Sequence, residues 1–167
     1  GCTAVGIFGA SRPSAFALGL EQPVVPVDPE TLTDLPVIDG ITPRFVEHLQ
    51  LRWAIGAPPQ HAHDEPHSTV YARLRDRRCP PEDALIALAD AIPTPAVSML
   101  RHPAPVNSLN WMLEILGDPA GFDPHGWCRL DTDVRAGADG YLSQTSILWG
   151  PDGRAWTVSH QTVGLFG

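Results

Sequence analysis

Residues 79–95 read CPPEDALIALADAIPTP, and the fold turns on how this stretch is read. Pro81 suits a first helical turn, and Glu82 and Asp83 suit the positive end of a helix dipole. Leu85, Leu88, Ala89 and Ile92 fall at i, i+3, i+4 and i+7, the stripe of a helix with one buried face. Pro93 and Pro95 then stop it. A single long apolar helix is therefore expected here.

The segments on either side have a different period. Phe45–Ile55 (FVEHLQLRWAI) alternates at Leu49, Leu51 and Trp53, and STVYARLRD alternates through Val70, Ala72 and Leu74, so both read as strands. GAPPQHAHDEPH lies between them as a loop. After the helix come four more strand candidates, VNSLNWMLEIL, HGWCRLDTDVRA, GYLSQTSILWG and RAWTVSHQTVGLF, with PDG forming a tight turn between the last two. Two strands, one helix and four strands describe an α+β fold in which an antiparallel sheet wraps around a central helix.

Further out, the chain nearly repeats itself. Val5–Gly9 reads VGIFG and Val163–Gly167 reads VGLFG. The first copy is followed by a stretch with prolines at 13, 23, 26, 29 and 36, which can hold neither a ladder nor a helix for long and reads as an extended linker. The expected division is a strand-like segment over 1–10, a proline-rich linker over 11–37 and a compact domain over 38–167.

Bulk properties narrow the function. With 167 residues there is room for one domain with a proper core. A formal charge of −8, with eleven arginines and no lysine, argues against a nucleic-acid partner, whose phosphates call for a clustered positive surface. No apolar run approaches the ~20 residues of a membrane span. The opening residues lack the basic and apolar regions of a signal peptide, and Cys2, Cys79 and Cys128 form neither a disulfide framework nor a zinc motif. The expectation is a cytoplasmic protein with no membrane partner.

Four stretches in order, LQLRWAIGAPP, ALIALADAIPTPAV, NSLNWMLEIL and DGRAWTVSHQTVGLF, resemble the C-terminal half of double-hotdog acyl-CoA thioesterases of the acyl-CoA thioesterase II (TesB-like) family, from about Gly40 to the C-terminus. The resemblance implies a hotdog fold, the second half of a double hotdog, with GCTAVGIFGASRP similar to the last strand of a first hotdog. It implies acyl-CoA as substrate, hydrolysis without a cofactor, and a second hotdog unit as partner, from a companion chain or another copy of this one.

It also implies a site. By spacing alone Asp90 is a surface carboxylate at a helix end, Ser108 a hydroxyl on a strand, and Gln161 an outward polar residue. The family places its active-site Asp in the helix segment matching LADAIP, a Thr or Ser at Ser108, and a Gln at Gln161. Together these could activate a water: the carboxylate takes its proton while hydroxyl and carboxamide orient it. Arg73, Arg75 and Arg77 alternate and so share one strand face, and could meet coenzyme A phosphates; a solvated edge is the other reading. His61, His63, Asp64, Glu65 and His67 are dense enough for a metal, but a Pro-rich loop with no second ligand set reads as solvated, and no metal is expected. Trp53, Trp111, Trp127, Trp149 and Trp156 are expected in the core or at an interface, one or two of them lining an acyl tunnel. The alternative to an enzyme is a non-catalytic acyl-binding or assembly module that has lost its partner half. A hotdog hydratase would need an Asp and His pair, for which His102 and His160 show no recognised spacing.

Overall fold

The computed structural model describes residues 1–10, 12–59, 61 and 63–166; Gly167, the last letter of the VGLFG repeat, lies outside them. Six strands, β1 (Leu49–Ile55), β2 (His67–Leu74), β3 (Val106–Ile115), β4 (Cys128–Ala138), β5 (Tyr141–Trp149) and β6 (Ala155–Leu165), form one sheet in the order β1-β2-β4-β5-β6-β3. Every neighbouring pair is antiparallel. The helix α1 (Pro81–Ala89) packs on one face, and a short α2 (Ala96–Met99) follows it.

The sheet curls around the expected stripe. Ala84, Leu85, Leu88 and Ala89 are buried against Leu51, Val70, Ala72, Leu130, Leu148 and Trp156. Ile92, the last residue of the expected stripe, lies beyond the helix but still packs on this core. The helix ends at Ala89 because Pro93 has no N–H to give the Ala89 carbonyl, and the residue before a proline is pushed out of helical geometry. Asp90 is consequently the C-cap, at φ −109° and ψ 15°, rather than a member of the last turn. A second difference lies before β1. Arg44–His48 forms a 3-10 turn that buries Val46, so the strand starts only where the alternation does, at Leu49.

The two edges of the sheet are unlike. Beside β1 the proline-rich stretch is tied down, with the Leu35 amide donating to the Leu51 carbonyl at 2.7 Å. Among the described residues β3 has no such cover: eight of its ten residues are exposed, and Leu109, Met112 and Ile115 stand in the open together with Leu116. Residues 1–10 form no strand within the chain and are exposed throughout.

Candidate functional site

The helix-facing side of the sheet is not uniformly apolar. Ser68, Thr132, Ser146 and Ser159, all buried, stand opposite one another in register across β2, β4, β5 and β6. The Thr132 and Ser146 hydroxyls pair at 2.8 Å. One row further along, Gln144 on β5 faces Gln161 on β6. Gln144 Nε2 donates to Gln161 Oε1 at 2.7 Å, and Gln161 Nε2 donates to Ser108 Oγ at 2.6 Å. The structure thus joins two of the three site residues expected from the sequence.

Ser108 reaches Gln161 through a defect in the ladder. Trp111 is opposite Gln161, and both Trp111 and Leu113 pack on the core. In a regular strand Ser108, three residues before Trp111, would point to the other face. The pairing slips between Ser108 and Asn110. Leu109 is the extra residue of a β-bulge, and one extra residue reverses the alternation. Ser108 therefore shares a face with Trp111 and Gln161. Simple alternation could not show this, since the bulge leaves no mark in the hydrophobic pattern.

Asp90 lies at the end of the helix that packs on this sheet. α1 packs over β5 and β6 and its C-cap carries the carboxylate. Asp90 is exposed on one side, yet the protein around it strips enough hydration to raise its pKa above the ordinary 3.8, with desolvation as the only cause. Its carboxylate has no hydrogen bond to Ser108 or Gln161 among the described residues. Gln144, which the sequence reading did not single out, could have been found from strand alternation: it is an inward polar residue opposite Gln161.

The arginines lie elsewhere. β2 ends at Leu74, so the strand face expected to carry Arg73, Arg75 and Arg77 together is not formed. Arg73 donates to Gln50 Oε1 at 3.0 Å and stacks on Trp127, its guanidinium carbon 4.1 Å from the ring centre. Arg52 stacks on the same ring at 4.4 Å. Glu30 from the linker accepts from the Trp127 indole at 2.8 Å and from Arg52 at 2.9 Å, and Arg75 is 3.8 Å from Asp34. Arg77 is exposed. Arg52, Arg73 and Arg75 fasten the linker to the outer face of the sheet.

Of the histidine loop, His67 opens β2 and bonds Asp133 at 2.9 Å, while the His63 amide donates to the Ser98 carbonyl at 2.9 Å. No three His, Cys, Asp or Glu side chains converge as metal ligands among the described residues. Trp149 and Trp156 are fully buried, and Trp53 and Trp111 are partly buried against the core.

A family model described as "Acyl-CoA thioesterase C-terminal domain" matches residues 29–165. The chain belongs to this family. Among solved structures it is similar to a hot dog fold protein of unknown function from Alicyclobacillus acidocaldarius, at 20% identity and TM-score 0.76 over 96% of this chain and 60% of that one. It also resembles the acyl-CoA thioesterase II TesB2 of Mycobacterium marinum, at 16% identity and TM-score 0.67 over 93% of this chain and 60% of that one. The tesB protein of Mycobacterium avium subs paratuberculosis is similar at 12% identity and TM-score 0.69, over 92% of this chain and 57% of that one. These likenesses establish the hotdog fold, and the chain spans about 60% of the solved structures' length. No curated protein matches the sequence.

Proposed function

We propose that this thioesterase-family domain hydrolyses acyl-CoA thioesters with Asp90 as general base and Ser108 and Gln161 orienting the attacking water. The reading is carried by the 2.6 Å contact that the β3 bulge creates between Gln161 and Ser108. The raised pKa of Asp90 supports the same assignment, since a base holds a proton better as its pKa moves toward the working pH. The water gives one proton to Asp90 and its oxygen bonds the thioester carbon. The C–S bond of the tetrahedral intermediate then breaks, and the thiolate takes up the proton that Asp90 holds. Thiolate leaves readily, so the route requires neither a covalent enzyme intermediate nor a metal.

The bare β3 edge supports pairing with a second hotdog unit. An exposed strand with apolar flanks recruits a partner strand, and the exposed Thr3–Phe8 segment is proposed to pair with that partner also. Of the three arginines first considered for coenzyme A phosphates, only Arg77 is left clear of the linker clamp, and it is the one proposed to meet them. Release of free thiol from a medium-chain acyl-CoA, followed with a thiol reagent, tests the whole reading. Absence of release from a folded, paired protein would favour a non-catalytic binding module.

A further inference from the structure

We propose that Gln144 is a positioning residue that fixes the direction in which Ser108 donates its hydrogen; the proposal rests on the hydrolase reading above. Gln144 is only 4% exposed and sits between Val134 on β4 and Gln161 on β6. A carboxamide has an accepting end and a donating end. With Gln161 Oε1 held by the Gln144 amide at 2.7 Å, Gln161 can turn only its Nε2 toward Ser108, which it meets at 2.6 Å. The serine oxygen accepts there, and its single hydrogen is directed away from Gln161.

That direction matters for an attacking water. Such a water gives one hydrogen to the base, accepts one hydrogen bond, and keeps a lone pair for the carbonyl carbon. Ser108 can supply the accepted bond only if its hydrogen is not already given to Gln161. Were the chain reversed, Ser108 would donate into Gln161 and present the water with lone pairs alone. The reversed chain is also costlier inside the protein. As it stands, Gln144 Oε1 is the atom of this chain of hydrogen bonds left buried without a partner among the described residues. Reversal would strand the doubly protonated Gln144 Nε2 instead, and orphaned buried N–H groups are rarer than under-used carbonyls. The nearest hydroxyl on the same face of β5, on Ser146, already pairs with Thr132.

Two substitutions test this. Gln144→Met keeps length but removes the amide, while Gln144→Glu keeps shape but, when ionised, only accepts. The ionised carboxylate should draw Gln161 Nε2 to itself and reverse the chain. For both variants kcat is expected to fall about 10- to 100-fold, the scale of losing the partner that orients a site residue, with KM little changed. As pH falls, the introduced carboxyl protonates early because burial raises its pKa, and it can again donate to Gln161. The ratio of Gln144→Glu to wild-type kcat should therefore climb on acidification while the Gln144→Met ratio stays flat. Asp90 and His63, titratable groups at the end of α1 and beside α2, are present in all three proteins, so their own titration cancels in the Gln144→Met ratio, which is the reference for the Gln144→Glu one.

A readout independent of turnover is solvent exchange of the Gln161 side-chain amide, identified in NMR spectra by its loss in Gln161→Leu. It should be slow in wild type and faster in Gln144→Met, which also serves if Gln144→Glu does not fold. Equal exchange in wild type and Gln144→Met, a ratio flat with pH, or an effect confined to KM would overturn the proposal. Wild type that releases no thiol while its amide responds as expected would overturn the hydrolase reading instead, leaving the hydrogen-bonded chain intact.

Discussion

Replacing Asp90 by Asn should make the protein more stable and almost inactive at once. Asp90 caps the C-terminal end of α1, where the helix dipole disfavours an anion by about 0.3–1 kcal/mol. Asn keeps the shape and drops the charge. For a chain of this size that gain corresponds to a rise in Tm of about 1–4 °C. Because the folded pKa of Asp90 lies above its ordinary 3.8, the folded state holds this proton more tightly than the unfolded state. The destabilisation is present in full above the folded pKa and disappears as pH falls below the unfolded value. The gap between variant and wild type should thus be widest at neutral pH and close on acidification. Turnover should fall ~10²-fold or more, the scale of a positioned general base, or about 2.7 kcal/mol in the barrier. Calorimetry across pH and thiol release from acyl-CoA are the assays. A variant less stable than wild type at neutral pH, or one that turns over near-normally, would refute the reasoning.

Two further outcomes are expected. The Trp127 indole and Arg52 hold Glu30 below its ordinary 4.5, and Asp34, which burial alone would raise, is lowered on balance by hydrogen bonds from Arg52 and Gln50. Their contribution is present above the ordinary carboxylate values and is lost as pH falls through the lowered ones, so protection of the amides over 25–36, taken relative to their intrinsic exchange rates, should fall on going from about pH 6 to about pH 3; protection there that tracks the β5 core throughout would contradict the clamp. At the bare edge, Leu109→Lys with Met112→Lys should leave the stability of the single unit within about 0.5 kcal/mol for each exposed site but reduce the assembled mass in light scattering. An unchanged mass would place the pairing surface elsewhere.

The fold was legible because its signals were local and repeated. The α1 stripe, its prolines and the alternation of six strands each named their element. Boundaries failed where one residue outweighed the pattern: Pro93 ended α1 ahead of Asp90, and Pro43 led residues 44–48 into a 3-10 turn in place of the start of β1. Identity pointed to Ser108 and Gln161, but their contact depends on a bulge that only the pairing of two distant strands reveals. The arginines misled because sequence does not show that the linker returns across the sheet, bringing Glu30 and Asp34 to Arg73 and Arg75.

The bulge at Leu109 acts as a parity switch on β3. Were the same residues paired without the bulge, the edge would be a more regular ladder, with every backbone pair made, and the serine hydroxyl would face the opposite side of the sheet from Gln161. For these residues regularity and a hydroxyl beside the glutamine are alternatives, separated by a one-residue slip of the pairing. A relative one residue shorter at this point could bring the same hydroxyl to the glutamine with a regular ladder, whereas one of the same length that pairs without the bulge would keep every letter of the Asp, Ser and Gln set and still have no hydroxyl there.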